Sequence, residues 1–161
     1  MRVVVFDAFG TLFEIGTRKF PYRQLMLWLR ENGRVALPDD AARIMSFDGS
    51  LAELANEFNP VIPVDLISKW EADLRQELDS IRLFPDSLKA IQAVQAAGLG
   101  VGLCSNLAAP YGSAVRTLLP PLDLYALSYE VGAVKPDPGI YQSIISTAQC
   151  RPEDVLFIGD S

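Results

Sequence analysis

Four short apolar runs constrain this chain more than any other feature: Val3 to Phe6, Val101 to Cys104, Tyr125 to Ser128, and Val155 to Ile158. Apolar residues at consecutive rather than alternate positions mark strands buried on both faces, as in a parallel sheet covered by helices on each side. Between the second, third and fourth runs lie helix-like stretches, Pro110 to Leu118 and Asp137 to Ala148, and Asp137-Pro138 suits a helix start. The resulting βαβαβ pattern predicts an α/β fold with a doubly wound parallel sheet.

The first and second runs are too far apart for a single crossover. From about Arg18 to Leu83 the apolar residues recur at helical spacing: Leu25, Trp28 and Leu29; Leu51, Leu54, Ala55 and Phe58; Leu66, Trp70, Leu74 and Leu78. Gly33, Pro38, Gly49 and the stretch Asn59-Pro60-Val61-Ile62-Pro63 interrupt them, so three or four helices are expected in an inserted, all-helical cap. This places the cap at residues 16–83 and the sheet-bearing core at 1–15 and 84–161. A helix from Pro85 to Ala97, ended by Gly98 and Gly100, returns the chain to the sheet. With 161 residues the chain is long enough for one such core with its insert.

Composition narrows the chemistry. The chain has no histidine, which removes Ser-His-Asp and Cys-His catalysis and every zinc site that needs an imidazole. Its net charge of −6 disfavours nonspecific attraction to nucleic acid or anionic membrane, so neither is expected as a partner; a metal ion or a small molecule is. Cys104 and Cys150 cannot make a disulfide framework, and Cys104 sits inside an apolar run, where a small buried side chain is expected. The N-terminal apolar run stops at Asp7, too short for a signal peptide or a spanning helix, and a cytoplasmic location is expected.

In open α/β sheets ligands bind beyond the carboxyl ends of the strands. The residues there are Asp7, Ser105 with Asn106, Lys135 in a loop after the third run, and Asp160 within Gly159-Asp160-Ser161. Two carboxylates, a hydroxyl and a cation converge by topology. Such a set can hold magnesium between carboxylates, use one carboxylate as nucleophile on phosphorus, and bind phosphoryl oxygens with the hydroxyl, amine and backbone N–H groups.

On these residues the chain resembles the haloacid dehalogenase (HAD) superfamily of hydrolases over nearly its whole length. Asp7-Ala8-Phe9-Gly10-Thr11-Leu12 is similar to the family's first motif, Ser105 to the second, Lys135 to the third, and Gly159-Asp160-Ser161 to the start of the fourth. The resemblance implies a Rossmann-like core with a helical cap and a hydrolase in which Asp7 attacks the substrate. Thr11, Ser105, Asn106 and Lys135 would surround a phosphoryl group, and Asp7, the Phe9 carbonyl and Asp160 would bind Mg2+. The substrate would be a small phosphorylated metabolite, handled through an aspartyl-phosphate intermediate.

Two departures matter. Phosphatases of the family usually carry a second Asp two residues after the nucleophile as general acid and base; here that residue is Phe9, which cannot transfer a proton. Turnover is therefore expected to be slow and to favour acidic leaving groups, acyl or aryl phosphates over alkyl esters. Asp-Ala-aromatic-Gly-Thr-Leu, together with Tyr141, is also similar to the dehalogenase branch, in which Asp7 would displace halide from a halogenated acid without metal; Asp160, a metal-type carboxylate, favours the phosphatase. The third reading, from another class, is a weak or inactive family member, a noncatalytic remnant or binding module that keeps the fold. Second, the resemblance implies a helix and a further strand after the fourth motif, and the sequence stops at Ser161. Val155 to Ile158 is then expected as an exposed sheet edge, covered by a homodimer or else left in a chain shortened relative to its functional form.

Overall fold

A computed structural model of the chain describes residues 1–160. The first apolar run forms β1 (Val3–Phe6) with every residue buried, because β1 has strands on both sides and helices on both faces. A three-residue strand β2 (Phe13–Ile15) follows, then four helices: α1 (Pro21–Glu31), α2 (Asp40–Ser46), α3 (Leu51–Ala55) and α4 (Val64–Asp79). The chain returns through β3 (Ile81–Leu83) and α5 (Ser87–Ala96) to β4 (Gly100–Ser105), α6 (Ala109–Leu118) and β5 (Leu124–Leu127). It continues as α7 (Ser128–Val131), α8 (Pro138–Ala148) and β6 (Val155–Ile158).

Four strands form a parallel sheet in the order β5-β4-β1-β6, with Phe6 paired to Leu103 on one side and Ile158 on the other. Side chains alternate between its faces. Val4, Phe6, Val101 and Leu103 pack with Ile91 of α5 and Val115 of α6, whereas Val3, Val5, Cys104 and Ala126 pack with Ile140 and Ile144 of α8. This two-sided burial is the physical reason for runs without polar alternation. Each large aliphatic side chain buried this way contributes about 1.5–3 kcal/mol before the entropy of ordering it is counted. At β6 the pairing with β1 leaves Leu156, Phe157 and Ile158 exposed by 59, 44 and 40 %.

The apolar stripes read from the sequence close a second core: Leu25 and Leu29 of α1, Leu51 and Leu54 of α3, Trp70 and Leu74 of α4. Ser50 and Glu53 start α3 with a reciprocal capping box, the Ser50 side chain accepting from Glu53 N and the Glu53 carboxylate from Ser50 N. Arg34 donates two hydrogen bonds to the Asp40 carboxylate at 2.6 and 2.8 Å, and Leu37 N donates a third, fixing the turn into α2.

Two features were not foreseen. Phe13–Ile15 and Ile81–Leu83 pair antiparallel, Ile15 with Ile81 and Phe13 with Leu83, so the passages into and out of the helical insert form one ribbon. Ser128, read as the end of the third strand, instead opens α7. Its fully buried hydroxyl accepts from Leu107 N at 3.0 Å and donates to Met45 O of α2 at 2.5 Å, a polar task that ends the strand. Among the described residues no helix is long and apolar enough to cross a membrane.

Candidate active site

Parallel strands end together, so β1, β4 and β6 deliver Asp7, Ser105 and Gly159-Asp160 to one edge of the sheet. Asp7 is only 8 % exposed, and both carboxylate oxygens have partners. Oδ1 accepts from Ala8 N at 2.7 Å and from Ser105 Oγ at 2.9 Å; Oδ2 accepts from Lys135 Nζ at 2.8 Å. Burying a carboxylate is costly unless it is paired and hydrogen-bonded. The lysine and two donors meet that condition while holding the carboxylate in one orientation.

Lys135 reaches Asp7 because Asn106 holds its backbone. Asn106 Nδ2 donates to Lys135 O at 3.0 Å, and Lys135 N donates to Asn106 Oδ1 at 2.7 Å, a two-bond clasp between the β4 loop and the loop before α8. The Asn106 amide, expected beside a phosphoryl group, is thus engaged in positioning Lys135. Asp137 starts α8 two residues on, its side chain accepting from Gly139 N.

The turn after β1 is tight. Ala8 O accepts from the N–H groups of Leu12 and Phe13 at 2.8 and 3.0 Å, and Thr11 is half-buried within this turn. Gly10 has φ +83°, and a Cβ there would lie 2.4 Å from Asp160 Oδ2. A Cβ at Gly159 would lie 2.9 Å from the Asp7 Cβ. Asp160 therefore sits against the loop that Asp7 begins, and two glycines make the approach sterically possible. Ser161 of the fourth motif lies outside the described residues.

Asp7 and Lys135 line a cavity of about 240 Å3 with Cys104, Tyr141 and Phe157. Burial pushes the Cys104 thiol up to about 11, with Lys135 drawing it down and Asp7 raising it, so it is neutral at physiological pH. Tyr141 packs edge-on against Phe157 at 5.3 Å between ring centroids.

A larger cavity, about 390 Å3, is lined jointly by residues after β1 and β4, Phe9, Asn106 and Leu107, and by residues of the helical insert, Tyr22, Ile44 and Met45. Phe9 lines it, its ring edge-on to Tyr111 at 5.9 Å, and so do Glu77 and Tyr22. Glu77 is buried; it accepts from Lys19 N at 2.6 Å, Phe20 N at 2.9 Å and Tyr111 OH at 2.8 Å. Burial and Glu77 push the Tyr111 phenol well above its usual range, so it remains a hydrogen-bond donor. Sequence reasoning missed Glu77 and Tyr111. The available signal was the spacing Trp70, Leu74, Glu77, which carries an acid onto the buried stripe of α4.

Comparison with known proteins agrees with this architecture. A family model described as haloacid dehalogenase-like hydrolase matches residues 1–161. A HAD family enzyme from Bacteroides thetaiotaomicron superposes with a TM-score of 0.69 at 17 % identity, covering 100 % of this chain and 85 % of that one. The same protein has also been solved in complex with magnesium and inorganic phosphate, at a TM-score of 0.63, 16 % identity and the same coverage. A predicted HAD-like family hydrolase from Porphyromonas gingivalis gives 0.64 at 20 % identity, covering 100 and 82 %. An L-2-haloacid dehalogenase gives 0.55 at 20 % identity, covering 99 and 76 %. No curated protein matches by sequence.

Proposed function

The chain belongs to the haloacid dehalogenase-like hydrolases, and from that premise we propose that it is a magnesium-dependent phosphatase of small phosphorylated molecules, with Asp7 as nucleophile and residues 16–83 as a substrate-selecting cap. The observation that carries the reading is the pairing of Asp7 with Ser105 and Lys135 while the Asp160 carboxylate packs on Gly10 of the same loop. A dehalogenase has no use for that second carboxylate. A phosphatase does.

The donors fit magnesium. Asp7, Asp160 and the Phe9 carbonyl are hard oxygen ligands, and magnesium takes one or two carboxylates and keeps several waters. The ion, when bound, would supply positive charge to the phosphoryl oxygens.

The remaining chemistry belongs to side chains of this chain. An Asp7 carboxylate oxygen forms a bond to phosphorus; the bond from phosphorus to the leaving oxygen breaks, and its electron pair goes to that oxygen. Lys135 Nζ and the Ser105 hydroxyl stabilise charge on the phosphoryl group, with Thr11 beside them. Water then attacks phosphorus, the bond to Asp7 breaks, and inorganic phosphate and the free carboxylate result. Phe9 donates nothing to the leaving oxygen, so its proton comes from solvent.

Phosphate release from acetyl phosphate with and without magnesium, using Asp7→Asn as the blank, tests the reading. Magnesium-dependent release lost in Asp7→Asn supports it. Metal-independent chloride release from 2-chloropropionate, with no phosphate release, would replace it with the dehalogenase.

A further inference from the structure

We infer that the organic half of the substrate is an apolar aromatic body seated in the 390 Å3 cavity beside the Asp7 loop, so that the substrate class is an aryl phosphate rather than a sugar or polyol phosphate. The inference rests on the phosphatase reading and deepens it. Phe9, two residues from Asp7, and Asn106, next to Ser105, both stand in the cavity wall. Phe9, Ile15, Ile44, Met45, Leu107 and Tyr111 supply an apolar surface, and the volume suits a one- or two-ring body.

Three polar side chains in the wall, Glu77, Tyr111 and Asn106, are already committed, and Arg18 stands exposed at its margin over the Phe20 ring. Glu77 accepts from two backbone N–H groups and from Tyr111, Tyr111 spends its proton on Glu77, and the Asn106 amide is clasped to the Lys135 backbone. A sugar would strip water from several hydroxyls and find few partners there. An aromatic ring loses nothing of that kind, and Phe9 and Tyr111, already edge-to-face, present rings for it to pack against.

Leaving-group chemistry points the same way from an independent direction. With a phenyl ring where a general acid would stand, the leaving oxygen must depart as a weak base. A phenol, with a pKa of about 10, meets that demand far better than an alkyl alcohol. Phe9 thus serves both requirements, giving up proton transfer and furnishing apolar surface.

The test compares kcat/KM of the magnesium-loaded enzyme for acetyl phosphate, phenyl phosphate, 2-naphthyl phosphate and glucose 6-phosphate. Acetyl phosphate is too small to use the cavity and reports the reaction alone; phenyl and 2-naphthyl phosphate have similar leaving groups and differ in apolar area. We expect 2-naphthyl phosphate to exceed phenyl phosphate by at least about tenfold, with glucose 6-phosphate far below both. Ile44→Asn and Met45→Gln, which put amides into the wall, should abolish the naphthyl advantage, read as the ratio of kcat/KM for 2-naphthyl over phenyl phosphate. Acetyl phosphate turnover with no naphthyl advantage, or with glucose 6-phosphate preferred, overturns the inference while the reaction stands. No acetyl phosphate turnover overturns the reaction and the inference with it.

Discussion

Lys135 Nζ offsets the buried charge of Asp7, and in the proposed reaction the same atom meets the incoming anion. Lys135→Ala should therefore weaken vanadate or phosphate binding by about 10–100-fold, the value of a charge-assisted hydrogen bond. Titration calorimetry with vanadate checks this, and unchanged affinity would remove Lys135 from the site. Phe9 is the second decisive residue. Replacing it by Asp restores a proton donor at a position whose ring now packs on Phe13 and Tyr111, so Phe9→Asp should gain on alkyl phosphates by about 10²-fold or more while losing stability. If magnesium binding survives and alkyl turnover does not rise, the missing acid is not what limits the enzyme.

At the scale of elements, the strands of the parallel sheet were legible because burial on both faces forces consecutive apolar residues, and their ends located Asp7, Ser105, Lys135 and Asp160. The ribbon of β2 and β3 was not legible: three residues such as Phe-Glu-Ile have no period to read, and the pairing spans the whole helical insert. Ser128 was taken for strand because it follows apolar residues, although its hydroxyl is spent on Leu107 and Met45. Asn106 was singled out by its position after β4, whereas its clasp on Lys135 depends on a contact 29 residues away.

The entry to α2 carries a titratable contact with a definite sign. Arg34 and the Leu37 N–H hold the Asp40 carboxyl down to about 2, from an ordinary 3.8. Stability from this pair is complete above about pH 4 and is lost as the pH falls through about 2. Asp40→Asn should cost about 1–2 kcal/mol at pH 7 and almost nothing at pH 2, as measured by urea unfolding at the two pH values. An equal cost at both would detach the effect from the ion pair.

For the whole molecule, the contact between Glu77 and Tyr111 joins the helical insert to the sheet-bearing core across the larger cavity. Glu77 also satisfies the backbone N–H of Phe20, which is held at φ +54°. Glu77→Leu leaves two part-buried N–H groups without this acceptor and should destabilise by about 1–3 kcal/mol, whereas Tyr111→Phe removes one bond and should cost about 1 kcal/mol. Denaturant unfolding of the two variants checks the ranking. In the proposed reaction such a joint would keep the Asp7 carboxylate and the pocket for the organic group in fixed relation, as phosphoryl transfer by positioning requires. The most direct test of the account is a single turnover of aryl phosphate in 18O-labelled water, with the enzyme quenched and its peptides and the released phosphate read by mass spectrometry. The account predicts a phosphoryl group trapped on Asp7 and label in the phosphate alone. Label in the Asp7 carboxylate, or no phosphoryl group on Asp7 while phosphate is released, would contradict it.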